Sequence, residues 1–470
     1  MKDKLGFEII DIDYSKKISE CQSGEIVDKN ENKYLIMCLP ALCEKEKIFF
    51  SEAIEELKYS NAKIETKADI YFFLKNYCLE NLILLNKEQR EKIIYWLEIE
   101  ALNESILTPL LNDPDFEEIV INGANKSILV YHKTFGWLTT NICFTLEEKI
   151  KNVLNKMAAP LGRQLSYHTP IMNAVLKNGS RMNATMNPVA FSGINCTIRK
   201  FKENPFTPTD IIETKTISTE AMAFLWMCMQ TNCSLLVCGN TGSGKTTTLN
   251  SLFCFLPKDE RIVVVEETPE LVLPQTHKVK LNTCEQLGIG LDKLIENTFR
   301  MRPDRVIVGE IRSKEECKAF INTMLAGQAK GSYATFHAES AEEALERMKT
   351  FNIEESALSS IDLIVVQKRI NIIERKSGKR KEERKVTEIC EVKKENGKIK
   401  TNMIFEFDFE ENELRKKNPP SKTTDKIKKT FRTNDKGIQQ IRKTKTKILE
   451  KIKGQADFAG FFEMAENAEQ

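Results

Sequence analysis

Apolar residues recur along this chain in two rhythms, and the change from one to the other divides it. Over 44–57 and 87–98 they return every three or four positions, the spacing of helices that pack by one face. Residues 1–95 are therefore expected to form a mostly helical N-terminal extension. From 96 to 201 the texture shifts to short strands at 117–121, 127–131 and 136–138, followed by a helix over 145–158. The runs 173–176 and 181–185 flank Asn178-Gly179, a pair that tolerates positive φ and so predicts a hairpin. With a further strand near 194–201, this stretch reads as a small N-terminal α/β domain. Pro205 and Pro208 mark 202–209 as a linker.

Between 210 and 410, apolar runs at 234–238, 262–265, 306–308, 332–336 and 361–366 alternate with helical stretches. That alternation predicts an α/β fold, a mostly parallel sheet with crossover helices. Each of the first four runs is followed at once by Gly, Glu or His, positions that line the carboxyl edge of such a sheet, where ligands bind.

Residues 411–470 read as a basic, partly helical tail. The overall net charge is +2, yet 415–453 carries 15 Lys or Arg against 3 Asp or Glu. Such a segment is expected to be solvated or to make weak contact with an anionic membrane surface. The apolar positions Ile438, Ile441, Ile448, Leu449 and Ile452 support the alternative of a helical cap packed on the preceding domain.

The remaining composition narrows the class. At 41% hydrophobic and 29% charged the chain has enough apolar material for globular cores. With no signal-peptide core and no apolar run of membrane-spanning length, a cytoplasmic location is expected. The 13 cysteines include no Cys-x-x-Cys pair, so buried thiols are expected in preference to a zinc site.

Gly239-Asn240-Thr241-Gly242-Ser243-Gly244-Lys245-Thr246 joins an apolar strand to a helical run that begins at Thr247. In this arrangement glycines let backbone N–H groups converge on phosphate oxygens at a helix N-terminus. Lys245 is expected at the β- and γ-phosphates of ATP and Thr246 on Mg²⁺. The next strand runs into Glu266-Glu267-Thr268-Pro269-Glu270, where a carboxylate could orient or deprotonate water; spacing alone does not rank Glu267 against Glu270. Arg305-Val306-Ile307-Val308-Gly309-Glu310 has the form of a Walker B strand with Glu in the usual Asp position, so that Glu310 would hold the Mg²⁺ shell through water. His337 ends the fourth strand, just before the capping-box sequence Ser340-Ala341-Glu342-Glu343, and is expected near the nucleotide.

These segments, in this order, resemble the secretion ATPase superfamily, the motors of type II and type IV secretion, type IV pili and the archaeal flagellum. The resemblance covers roughly residues 100–395 and includes Asp113-Pro114-Asp115-Phe116-Glu117-Glu118-Ile119 and Asn178-Gly179-Ser180-Arg181-Met182-Asn183. It implies a RecA-like ATPase domain, a homohexameric ring and a membrane platform protein as partner. It also implies that Glu270 is the catalytic glutamate, Glu310 the Walker B acid and His337 the His-box histidine, with Arg181 and Arg199 approaching the phosphates. Glu267 departs from a common Asp, and Gly327-Gln328-Ala329-Lys330-Gly331 departs from the common Gly-His stretch, a version that looks archaeal. The four-cysteine zinc insertion of some type II members is absent. An alternative is a RecA-like nucleic-acid translocase, but the basic run holds a single aromatic, Phe431, and no base-stacking platform, so no nucleic acid is expected. A scaffold that does not hydrolyse nucleotide is disfavoured by the intact Lys245, Glu270 and Glu310.

Overall fold

The computed structural model describes residues 6–14, 16–29, 32–60, 63–201, 204–284, 287–327, 329–373 and 380–468. They fall into two compact units, divided between residues 202 and 203.

The first unit is built on one ten-stranded sheet. Strands β1 (Phe7–Ile9), β2 (Lys16–Cys21), β3 (Gly24–Lys29) and β4 (Asn32–Met37) precede helices α1 (Glu44–Tyr59), α2 (Lys67–Glu80) and α3 (Lys87–Ala101). After the short α4 (Thr108–Asn112) come β5 (Phe116–Asn122), β6 (Ser127–His132), β7 (Gly136–Phe144), α5 (Glu147–Ala158), β8 (Ile171–Val175), β9 (Arg181–Thr185) and β10 (Asn195–Arg199). The strands run in the order β2-β3-β4-β7-β6-β5-β10-β9-β8, with β1 beside the end of β7. Residues 1–95 thus hold four strands as well as the expected helices, and β4 pairs in parallel with β7, so the segment is continuous with the sheet that follows it. The expected hairpin forms between β8 and β9, with Gly179 at φ +82° in its turn. Met172, Ala174, Met182 and Ala184 alternate into the core as the period of two requires.

The second unit carries a nine-stranded sheet. Its elements are α6 (Pro208–Glu213), α7 (Thr219–Met229), β11 (Leu235–Cys238), α8 (Lys245–Leu252), β12 (Ile262–Glu266), β13 (Lys278–Asn282), α9 (Leu291–Thr298), β14 (Arg305–Ile311), α10 (Lys314–Leu325) and β15 (Gly331–Phe336). They continue with α11 (Ala341–Thr350), α12 (Glu355–Leu358), β16 (Leu363–Ile373), β17 (Arg380–Glu395), β18 (Lys398–Asp408), β19 (Glu413–Lys416), α13 (Lys422–Phe431), α14 (Asp435–Ile452) and α15 (Phe458–Asn467). The order is β13-β12-β14-β15-β11-β16-β17-β18-β19; neighbours are parallel from β13 to β16 and antiparallel beyond. Every residue of β11, β12 and β15 is buried, which is why these strands read as unbroken apolar runs. Leu235, Val237, Ile262, Val264 and Ile307 face one core, while Leu236, Cys238, Val263, Val265 and Val308 face the other.

Residues 411–470 are not a tail beyond this unit. Strand β19 extends the sheet, and Ile427, Leu449, Ile452, Phe458 and Phe461 of the last three helices are buried in the same core as Trp226 and Phe255. Buried Glu391 accepts hydrogen bonds from the backbone of Thr423 at 2.6 Å and Ser421 at 3.0 Å, capping α13. Asp362 pairs with Lys422 and Lys426 at 2.9 and 2.6 Å, and the Lys445 ammonium lies 4.0 Å from the centre of the Trp226 ring. The helical cap is the reading that holds. The basic run misleads because several of its cations are anchors to the domain, and the apolar side of these helices is buried in the core that holds Trp226 and Phe255.

Candidate active site

Four parallel strands, β11, β12, β14 and β15, bring their carboxyl ends to one edge, and every sequence-predicted residue of the second unit lies at or just beyond that edge. The loop after β11 is held open by glycine. Gly242 and Gly244 sit at φ +73° and +91°, a region that other residues enter at a cost. A Cβ on Gly239 would lie 2.1 Å from the Gln367 carbonyl, and one on Gly244 would lie 2.9 Å from Gln367 Nε2. The loop is therefore bracketed by the β16–β17 ribbon. Thr248 Oγ1 donates to Gln367 Oε1 at 2.5 Å, and Arg384 Nε donates to the Gly242 carbonyl at 3.0 Å. Gln367 and Arg384 escaped the sequence reading, because only strand neighbours bring residues more than a hundred positions away onto this loop.

Inside the loop the Ser243 hydroxyl is buried and has no hydrogen-bond partner among the described residues. Buried polar atoms are normally satisfied, so an orphan at the start of a helix, inside a glycine cradle, fits an anionic oxygen supplied by a ligand. Asn240 and Thr241 complete the loop, and Thr246 and Thr247 occupy the first turn of α8.

Lys245, Glu310 and His337 converge beside it. The Lys245 ammonium is 3.4 Å from His337 Nδ1 and 3.9 Å from Glu310 Oε1, and His337 Nε2 is 2.8 Å from the same carboxylate oxygen. Burial holds Lys245 below the ordinary lysine value, opposed by Glu310. Burial likewise lowers His337, and the Lys245 charge adds to the effect. The geometry then suits a neutral imidazole that accepts from Lys245 at Nδ1 and donates to Glu310 at Nε2. Arg312, two residues past Glu310, bonds it at 2.7 Å through Nε and also pairs with Glu267. Arg312 is a third residue that spacing did not single out; it bridges Glu310 on β14 and Glu267 just past the end of β12.

Glu270 stands on the turn after β12, and its charge is felt at Lys245. The oxygens of Thr246 and Glu310 are hard donors of the kind Mg²⁺ prefers, and the ion ordinarily completes its shell with water and substrate phosphate. The donor set fits that ion. Arg181 and Arg199 belong to the first unit, where they face each other in register across β9 and β10.

The sequence profile of the type II/IV secretion system protein family matches residues 100–457. The match reaches past the sheet and through α14, in keeping with the packing of the C-terminal helices. An uncharacterized protein of Methanocaldococcus jannaschii is 33% identical over 319 residues, 64% of this chain and 44% of its own length. The chain thus spans less than half of that relative. The type IV secretion system protein VirB11 of Bartonella henselae is 28% identical over 316 residues, covering 56% of this chain and 87% of its own. Among solved structures, the Legionella pneumophila ATPase DotB is 16% identical, covers 75% of this chain and 88% of that one, and superposes with a TM-score of 0.43.

Proposed function

The chain belongs to the type II/IV secretion system protein family, and from that premise we propose that it is a Mg²⁺-dependent ATPase that drives protein secretion or the assembly of pilus-like filaments. The observation that carries this reading is the half-buried contact of Lys245 with Glu310 and His337 beside a glycine loop that contains an orphaned hydroxyl.

The backbone N–H groups of 239–246 and the Ser243 hydroxyl would cradle the phosphates, and Lys245 would offset charge on the β- and γ-groups. Thr246 and Glu310 would hold Mg²⁺, which when bound offsets charge on the transferring phosphoryl group. His337 steadies the Glu310 carboxylate through Nε2. Glu270 is assigned to orient and deprotonate the attacking water, the role that its place in the acidic stretch of the family implies. Arg181 and Arg199 are assigned to the phosphates in the closed state of a homohexamer.

No helix among the described residues is long and apolar enough to cross a membrane. The proposed motor would pass its motion to a membrane platform protein at the cytoplasmic face. Lys245→Ala tests the site. Titration with Mg-ATP should show loss of tight binding while circular dichroism stays that of the folded chain. Unchanged affinity would remove the loop from the account.

A further inference from the structure

The acidic stretch that begins with the last residue of β12 contains three carboxylates, of which Glu270 carries the water-activating role and Glu267 pairs with Arg312. The first, Glu266, is 2% exposed and turns inward. Its Oε1 accepts hydrogen bonds from two consecutive backbone N–H groups, Glu270 at 2.8 Å and Leu271 at 3.0 Å. Its Oε2 is buried without a hydrogen-bond partner among the described residues. A buried carboxylate with one oxygen unsatisfied is a costly way to hold a turn. Something beyond the stability of the fold is served by it.

What that is follows from the other side of the same side chain. A Cβ on Gly309 would lie 3.1 Å from Glu266 Cγ, so the stem of Glu266 rests against the backbone immediately before Glu310. Gly309 is held from the opposite direction by Thr335 Oγ1, which donates to its carbonyl at 2.7 Å. The turn bearing Glu270 is held at its far end by Asn250 of α8, whose Oδ1 accepts from Val272 N at 2.8 Å. One buried side chain thus bonds the segment that presents Glu270 and abuts the segment that presents Glu310, while the helix of the phosphate loop fixes the end of the turn.

We propose that Glu266 is a positioning residue that sets the separation between the water-activating Glu270 and the metal-shell acid Glu310. The proposal rests on the ATPase reading of the site. A shift of about 1 Å in a reacting group can cost on the order of 10²-fold in rate, so a spacer between two acids acts on turnover while leaving the phosphate cradle unchanged.

Steady-state hydrolysis by the full chain decides it. Glu266→Ala should lower kcat by about tenfold or more with KM within about threefold, because only the chemical step depends on the spacing. Glu266→Gln keeps the carbonyl acceptor and the stem, and should stay within about twofold of the parent kcat. Gly309→Ala pushes on the stem and should lower kcat several-fold in the parent, yet add nothing once residue 266 is Ala, a non-additive pair. If Glu266→Ala does not fold, Gly309→Ala and Glu266→Gln still decide the matter. A parent-like kcat in Gly309→Ala, or a Gln variant as slow as the Ala variant, overturns the proposal. If the parent chain turns over no ATP, the ATPase reading falls and takes this one with it; an active parent with indifferent variants removes Glu266 alone.

Discussion

Replacing Glu266 by Gln should make the second unit more stable at alkaline pH and leave it nearly unchanged in acid. Burial pushes this carboxyl from the ordinary 4.5 up to about 7; the Glu270 carboxylate works in the same direction, and the Glu270 and Leu271 N–H groups and Lys280 oppose it. Between those two pH values the native state keeps a proton that the unfolded chain has released. The contribution is therefore present in full below 4.5, falls as pH rises through the window, and is gone above 7. A span of about 2.5 pH units at roughly 1.4 kcal/mol each gives a total loss of about 3.5 kcal/mol, of which roughly 1 kcal/mol is already gone at pH 5. Gln imitates the protonated form and escapes that loss, while any offset from its extra N–H is the same at every pH. Thermal unfolding of both proteins at pH 5 and pH 8 reads it directly. From pH 5 to pH 8 the difference between them should widen by about 2.5 kcal/mol, on the order of 5 °C in the midpoint of the second unit. A difference that does not change with pH would mean that Glu266 is already ionised in the folded state, and would refute the reasoning.

Phe461→Ala removes a fully buried ring that meets Phe255 edge-on at a centroid distance of 6.1 Å, and should cost about 3–5 kcal/mol of stability in the second unit; a loss under about 1 kcal/mol would mean the C-terminal helices are not part of its core. If the ring assembly is right, ATPase rate per chain should rise with protein concentration, and light scattering should show larger assemblies with a non-hydrolysable analogue. A monomer with full activity at every concentration would exclude it.

The parallel strands were legible because burial on both faces leaves an unbroken apolar signature. The loop was legible because three glycines at fixed spacing, between an apolar strand and a helix, mark a backbone path that bulkier residues could not follow. Strand β17 was not legible. Arg380–Glu395 is dominated by charge, and its few apolar residues are split between the two cores, Val386 and Ile389 in one and Cys390 and Val392 in the other. In β2 most residues are exposed, so no alternation marks it as a strand. The C-terminal segment was dominated by its charge, although the positions of Leu449 and Ile452 already traced a helical face; Lys422, Lys426 and Lys445 turned out to be fastened to acids or to an aromatic ring. Within the site, residue type and strand end placed Lys245, Glu310 and His337. Contacts that depend on the turn or on a neighbouring strand, such as Arg312 with Glu267 and Gln367 with the loop, leave no local trace in the chain.

The central claim is that this chain binds ATP at the glycine loop and hydrolyses it with Glu270. Phosphate release from Mg-ATP, followed side by side for the parent and Glu270→Gln together with nucleotide retained on each, tests it most directly. The account predicts steady release by the parent, and by the variant a rate lower by about 10²- to 10⁴-fold with nucleotide still bound. A parent that retains and cleaves no ATP, or a variant that releases phosphate as fast as the parent, would contradict it.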